Sequence, residues 1–365
     1  MVMDDNHRLV EWLAYHYFVM NLRYLVILPD PKSRFSPNPI LDRWRKYMKI
    51  VIWTDEDCMN EEQYQDSVAF RKRKSPSEEL AQTFHDDRQD LFLRQCAIHM
   101  KINKRKWVGF HDVDEYYVVS SDLVDGAAER MREQGGGIKL LNQITSTMDA
   151  LKENTYIDTL TTNYLGPCVS TYRTLYGAVD STQAEISKDV PSIIDPRRFE
   201  TLRWRQHLPH KHPQDGKVLL DVSRVDMKML ASEDSFYRSH KLLSICPSIY
   251  FNPDAFFRLN HYVGNWEYYS FRQNDERAGA RRNRDQWEKE SIKMGGTSGD
   301  DIRPWIAGFF LSFGEDEASR LLRDCGLDPD YEAGIKKTWL HERDRKLLKK
   351  IKLKRTGDLS KSTES

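Results

Sequence analysis

The sequence predicts an α/β fold: a mostly parallel central sheet flanked by helices in one domain over residues 1–330, followed by a basic helical tail over 331–365. Three observations predict it. Apolar runs with helical spacing alternate with short β-branched and aromatic runs through the first 115 residues, the order that builds βα units. A chain of 365 residues with 39% hydrophobic content can bury a sizeable core. The run Lys106-Trp107-Val108-Gly109-Phe110-His111-Asp112-Val113-Asp114-Glu115 reads as a buried strand that ends in three carboxylates, and open α/β sheets gather ligands at the carboxyl ends of their strands.

Residues 9–18 carry the apolar spacing of a helix and lead into a strand over 22–28, which Pro29-Asp30-Pro31 breaks. A helix over 40–47 precedes a strand over 49–53 that ends in Thr54-Asp55-Glu56-Asp57. A charged loop over 71–79 gives way to a long helix over 78–101, with Leu80, Phe84, Leu91, Phe92, Cys96 and Ile98 on its apolar side, and this helix delivers the chain to the acidic strand. Beyond it the pattern loosens. A helix over 123–134 stops at Gly135-Gly136-Gly137, a strand fits 138–141, and the stretch 163–213 is rich in aromatics, Arg, His and Pro. Strands resume at 218–222 and around 242–246, and residues 257–272 read as a strand that turns into a helix. From Lys336 the chain becomes basic and amphipathic, with Leu347, Leu348, Ile351 and Leu353 at helical spacing among lysines and arginines. Such a face is a candidate for peripheral membrane contact.

Formal charge is zero, so no global field recruits nucleic acid. No run of some 18 apolar residues spans a membrane, and no export signal precedes the first charged residues. Five scattered cysteines show no zinc-type spacing; most read as core thiols, with room for one or two bridges. There is no Asn-x-Ser/Thr site.

The acidic cluster is the main chemical signal. In an extended backbone, carboxylates at i and i+2 project to one side, and acids so close repel one another unless a cation lies between them. Oxygen donors suit Mg2+ or Mn2+, which bind through one or two carboxylates plus substrate phosphates. A P-loop needs a Gly-x-x-x-x-Gly-Lys-Ser/Thr run that is absent here, and the dehalogenase pattern wants Thr or Val where this chain has Tyr116. A solvated acidic turn is the bland alternative. Downstream, Asn260-His261-Tyr262 puts an imidazole at a strand end. Two carboxylates and that imidazole leave positions on a metal for a diphosphate and water.

Glu11-Trp12-Leu13-Ala14-Tyr15-His16-Tyr17, the segment 107–116 and Leu259-Asn260-His261-Tyr262 together resemble glycosyltransferase family 92 and its family 2-like relatives over most of residues 1–275. The resemblance implies a GT-A-type domain in which Asp-x-Asp holds Mn2+ or Mg2+ and the diphosphate of a nucleotide-sugar donor. It implies Asp112, Asp114 and His261 as metal ligands, and Glu115 beside them on the donor. It places Trp12, Tyr15 and His16 under the nucleotide pocket, with helix-to-sheet packing an equal reading for Trp12 and Tyr15. A hexosyl group would pass, with inversion, to a hydroxyl of a glycan, protein or lipid acceptor. Asp180 and Glu200 are the candidates for the catalytic base, and Arg173, Arg203 and Arg205 for anion contacts. The resemblance further implies a Golgi or secretory-membrane setting. Relatives open with an apolar first strand where this chain has only Met1-Val2-Met3, so the first strand and any anchor read as clipped. A non-catalytic binding protein of the same fold and a metal-dependent phosphohydrolase are the rival functions.

Overall fold

The computed structural model describes residues 1–73, 76–119, 167–177, 190–207, 217–232, 237–238, 241–242, 245–246, 257–264, 266, 269, 283–293, 297–298, 302 and 305–326. The expected elements at 123–134 and 138–141, the candidate base Asp180 and the basic tail lie outside those residues.

Helix α1 (Asn6–Val19) is the axis of the molecule. Eleven of its residues are buried, among them Leu9, Val10, Leu13 and Ala14, but also Arg8, Glu11 and His16. A helix buried all round belongs to the core rather than to a surface. Its apolar residues join Ile40, Leu41, Trp44, Tyr116, Leu202, Trp204, Trp305 and Phe309 in the larger of two hydrophobic clusters. The expected helix over 40–47 is shorter than its pattern: only Asn38–Leu41 is helical, and the following residues form successive turns that still bury Trp44.

Strands β1 (Tyr24–Ile27) and β2 (Lys49–Ile52) pair in parallel, Tyr24 beside Lys49 through Ile27 beside Ile52. After β2, Thr54 and Asp57 form a reciprocal capping box on the helical turn Asp55–Cys58. Helix α2 (Glu61–Arg71) begins with the same device at Asn60 and Gln63. The long helix α3 (Glu78–Ile102) starts at the Ser77 cap and packs Phe92, Leu93, Cys96 and Met100 into the second cluster with Tyr24, Val26, Val108 and Leu220. Buried Arg88 ties α3 to both parallel strand ends, through Asp55 at 2.8 Å and through Asp30.

The sheet is the main correction to expectation. Strand β3 (Trp107–Gly109) pairs antiparallel with β8 (Val218–Asp221), which pairs antiparallel with β5 (Cys168–Ser170). A five-stranded mixed sheet runs β12-β7-β6-β11-β4. Here β11 (Phe257–Tyr262) lies parallel to β6 (Tyr172–Tyr176) and antiparallel to β4 (Glu115–Val119), while β7 (Gln206–His207) pairs antiparallel with β6 and with β12 (Thr297–Ser298). Residues 237–238 and 241–242 form a small hairpin, β9 and β10. The molecule is therefore a mixed α/β structure with several small sheets, not one mostly parallel sheet. Helix and strand alternation holds only as far as α3; beyond it, the described strands pair mostly antiparallel, with β11 and β6 the parallel exception.

Val2 makes a single parallel bridge with Pro29. Among the described residues, β1 and β3 each pair on one edge only, and residues of both strands line a cavity of about 300 Å3. Trp12 and His16 of α1, together with Met100, His111 and Tyr117, complete its wall.

Cys168 and Cys246 form a disulfide that holds β5 to the segment beyond β10; Cys58, Cys96 and Cys325 are buried free thiols. One bridge and three core thiols match the reading of most cysteines as core thiols with room for a bridge. The bridge closes a loop with a sequence separation of 78, which corresponds to about 4 kcal/mol of denatured-state entropy. Unfolding the unreduced protein in the presence of an alkylating agent should label only the three free thiols. Reduction or Cys246→Ser should lower the unfolding free energy by up to about 4 kcal/mol, read by denaturant titration. Five labels without reduction would exclude the bridge.

Candidate active site

The acidic motif lies in a turn, not along a strand. Strand β3 stops at Gly109, Val113 and Asp114 form the turn, and Glu115 opens β4. The Glu115 backbone N–H donates to the Asp112 carbonyl, and the Asp112 N–H donates to Glu115 Oε2 at 2.9 Å. Because the backbone reverses here, Asp112 and Asp114 do not share one side as an extended segment would require. Each meets its own buried cation.

Lys217, the residue before β8, is fully buried and places Nζ 3.1 Å from Asp112 Oδ2 and 3.1 Å from Glu115 Oε2. Desolvation works against ionisation of Asp112, but the ammonium outweighs it and holds the carboxyl well below the usual carboxylate range. Burial lowers the Lys217 ammonium and the two acids more than restore it, so its pKa is raised. Burial pushes the Glu115 carboxyl up against the pull of Lys217. Arg173 of β6 adds a looser contact, 3.9 Å from Glu115.

Arg8 of α1 serves Asp114. Its Nη1 donates to Asp114 Oδ2 at 2.8 Å, while Nη2 donates to the Val263 carbonyl and lies 3.0 Å from Glu200 Oε1. Gly264 makes room for this. It sits at φ +74°, where side chains are strained, and a Cβ there would stand 2.1 Å from Arg8 Nη2. One turn along α1, Glu11 accepts from the Glu200 N–H at 2.7 Å, the Thr201 N–H at 3.1 Å and the Thr201 hydroxyl at 2.5 Å. Trp305 in turn donates to that hydroxyl. One buried helix thus places both Asp114 and the Glu200 segment.

Of the expected metal ligands, Asp114 and His261 converge: His261 Nε2 lies 3.6 Å from Asp114 Oδ2, and its Nδ1 is buried without a hydrogen-bond partner. The Asp112 side chain is 48% exposed and turned to Lys217. Among the described residues, no three His, Cys, Asp or Glu side chains form a ready metal cage. The donors fit a divalent cation in kind, with one imidazole and one acid together and the second acid at the rim. Glu200, one of two base candidates, stands in the site, but both its oxygens are sealed from solvent.

His16 is buried on α1, and it lies in the wall of the cavity beside β1 and β3. Its Nδ1–H donates to the Trp12 carbonyl, and the ring packs against Trp12, His111 and Tyr116. Burial, reinforced by His111, holds its pKa well below the ordinary value; burial and Lys217 push His111 down to about 4. Tyr15 donates to the Tyr117 carbonyl across the helix–strand contact, so Trp12 and Tyr15 pack helix to sheet. Arg203 lies over Trp204, 4.1 Å from its ring centre, and Arg205 is buried.

Sequence reasoning missed Arg8, Glu11 and Lys217. A charged pair three residues apart inside an otherwise apolar helix was a usable signal for the first two; a lysine at the foot of a strand carries none. Comparison with protein-family models, curated proteins and solved structures gives no match.

Burial pushes Glu11 up to about 7 and Glu200 up to about 8, against the opposing pull of hydrogen bonds and Arg8. Both pKa values exceed that of an unfolded glutamate, so the protonated forms favour folding. Their contribution is complete below the unfolded pKa and is lost as pH rises through 7 to 8. Unfolding free energy should fall as pH rises from the ordinary glutamate value of 4.5 to about 7 for Glu11 and about 8 for Glu200, by up to about 1.4 kcal/mol per pH unit for each group while it is protonated in the native state and ionised in the unfolded one, and level off above. Glu200→Gln should flatten the profile. A wild-type profile that is level or rising between about pH 5 and 7 would contradict this.

Proposed function

We propose that the chain is a glycosyltransferase that moves a sugar from a nucleotide-sugar donor to an acceptor hydroxyl, with Mn2+ or Mg2+ held by Asp112, Asp114 and His261. The observation that carries the proposal is the convergence of His261, far downstream in the sequence, on Asp114 at 3.6 Å. Strand β11 sets that meeting by pairing His261 with Glu115. The resemblance of the same three segments to family 92 transferases points the same way.

When bound, the cation supplies positive charge for the departing nucleoside diphosphate. The protein's own groups prepare that site. Arg8 fixes Asp114, and Lys217 fixes Asp112 and Glu115 and holds the Asp112 carboxyl well below the usual carboxylate range. Glu200 is the base candidate inside the site; at neutral pH burial keeps it mainly protonated, so accepting the acceptor's proton requires it first to lose its own. The Cys168–Cys246 bridge supports an oxidising, secretory compartment. No helix among the described residues is long and apolar enough to cross a membrane.

Thermal unfolding with Mn2+ and a panel of nucleoside diphosphates tests the metal and nucleotide parts of the reading together. At least one pair should raise the melting temperature, and Asp114→Asn should abolish that rise. His261→Ala should weaken metal-dependent nucleotide affinity by on the order of ten- to a hundredfold. An equal rise in the Asp114 variant would remove the metal assignment. Nucleotide sugars then identify the donor, and release of nucleoside diphosphate that depends on an acceptor separates transfer from hydrolysis.

A further inference from the structure

We propose that the cavity between β1 and β3 is a slot for one further β-strand, laid parallel to β1 by a short apolar segment joined to the amino end of Met1. The inference is independent of the donor reading, since none of Asp112, Asp114 and Glu115 lines this cavity.

The first residues set the direction. Val2 bridges Pro29 in parallel: its N–H donates to the Leu28 carbonyl, and the Asp30 N–H donates to the Val2 carbonyl. Continued backward in that register, Met1 lies beside Leu28, and the four residues ahead of it would lie beside Ile27, Val26, Leu25 and Tyr24. The main chain of β1 is turned to receive them. The Ile27 carbonyl accepts from the Trp53 N–H on the β2 side, and successive residues of a strand present their N–H and C=O to opposite edges. Tyr24 and Val26 therefore present theirs to the cavity, whose wall they share with Val108 and Gly109 of β3. Buried main-chain groups need partners. A strand in the slot would supply them and join β2-β1 to β3-β8-β5 as one sheet.

What covers the slot defines the occupant. Tyr24 and Val26 pack into the cluster of α3, whereas Ile27 packs into that of α1, so β1 is covered on both faces. The cavity is covered in the same way, by Trp12 and His16 of α1 and by Phe92, Leu93, Cys96 and Met100 of α3. A strand covered on both faces is a continuous apolar run rather than an alternating one. Met1 itself lines the cavity, and desolvation lowers the pKa of its ammonium group. A peptide bond in place of that ammonium has no charge to desolvate.

Amide hydrogen exchange read by NMR tests this on three forms of the full chain: unextended, extended ahead of Met1 by Val-Ile-Val-Ile, and extended by Gly-Ser-Gly-Ser. In the unextended chain the Val26 amide should exchange at least about tenfold faster than the Ile27 amide, which faces β2. The apolar extension should slow Val26 by at least about tenfold and raise the melting temperature, and the Gly-Ser extension should do neither. A Val26 amide already as slow as Ile27 in the unextended chain means that another segment holds this edge, and overturns the slot. Equal Val26 rates in the two extended chains overturn it as well. The capped peptide Val-Ile-Val-Ile, added free, separates the sources: slowing by the free peptide without slowing by the extension overturns the link to Met1. An apolar extension that prevents folding where the Gly-Ser extension permits it overturns the fit.

Discussion

Charge compensation inside the core is the constraint on which the rest of this structure depends. Helix α1 is buried on nearly every face and carries Arg8 and Glu11 into that interior. An isolated charge there would be prohibitive, so partners must be brought from distant segments. Asp114 and Glu200 come to Arg8, and the backbone of Glu200 and Thr201 comes to Glu11. The short helix Glu200–Arg203, the end of β11 and the turn after β3 are fixed relative to one another by these contacts. Gly264 exists at φ +74° because the Arg8 guanidinium occupies the space a side chain would need.

The same physics arranges the acidic turn. Asp112, Asp114 and Glu115 within four residues would repel one another in a bare cluster. Lys217 and Arg8 divide them into two ion-paired sets, one fed from β8 and one from α1. The antiparallel sheet β3-β8-β5 matters because it carries Lys217 to the turn, and the disulfide at Cys168 anchors β5, the edge strand of that sheet. The mixed sheet matters because β4 and β11 are neighbours, which brings His261 to Asp114. Fold and site are thus two views of one set of pairings.

Local signals in the sequence were read well where a single element decides them. The apolar spacing of residues 9–18 marks α1, the β-branched run Val26-Ile27 and the run Ile50-Val51-Ile52 mark β1 and β2, and the long apolar stripe marks α3. Strand direction was not legible. Helix and strand alternation through residue 115 looks the same whether the later strands return parallel or antiparallel, and only pairing partners distant in sequence decide it. The turn at Val113-Asp114 was the bland alternative to a strand end, because an apolar run followed by acids fits either equally well. Asp114 and His261 were legible as polar residues at strand ends. The cation Lys217 was not, since a lysine before Val218 looks like any surface lysine until β8 is laid beside β3.

The central claim is that buried protein cations, Lys217 above all, hold the acidic turn in its divided, ion-paired arrangement before any ligand arrives. A high-resolution crystal structure of the metal-free protein tests this most directly. The account predicts Lys217 Nζ sealed from solvent and within hydrogen-bonding distance, about 3 Å, of both Asp112 and Glu115, with the Arg8 guanidinium on Asp114. A Lys217 side chain extended into solvent, with Asp112 and Glu115 turned to water or to one another, would contradict it.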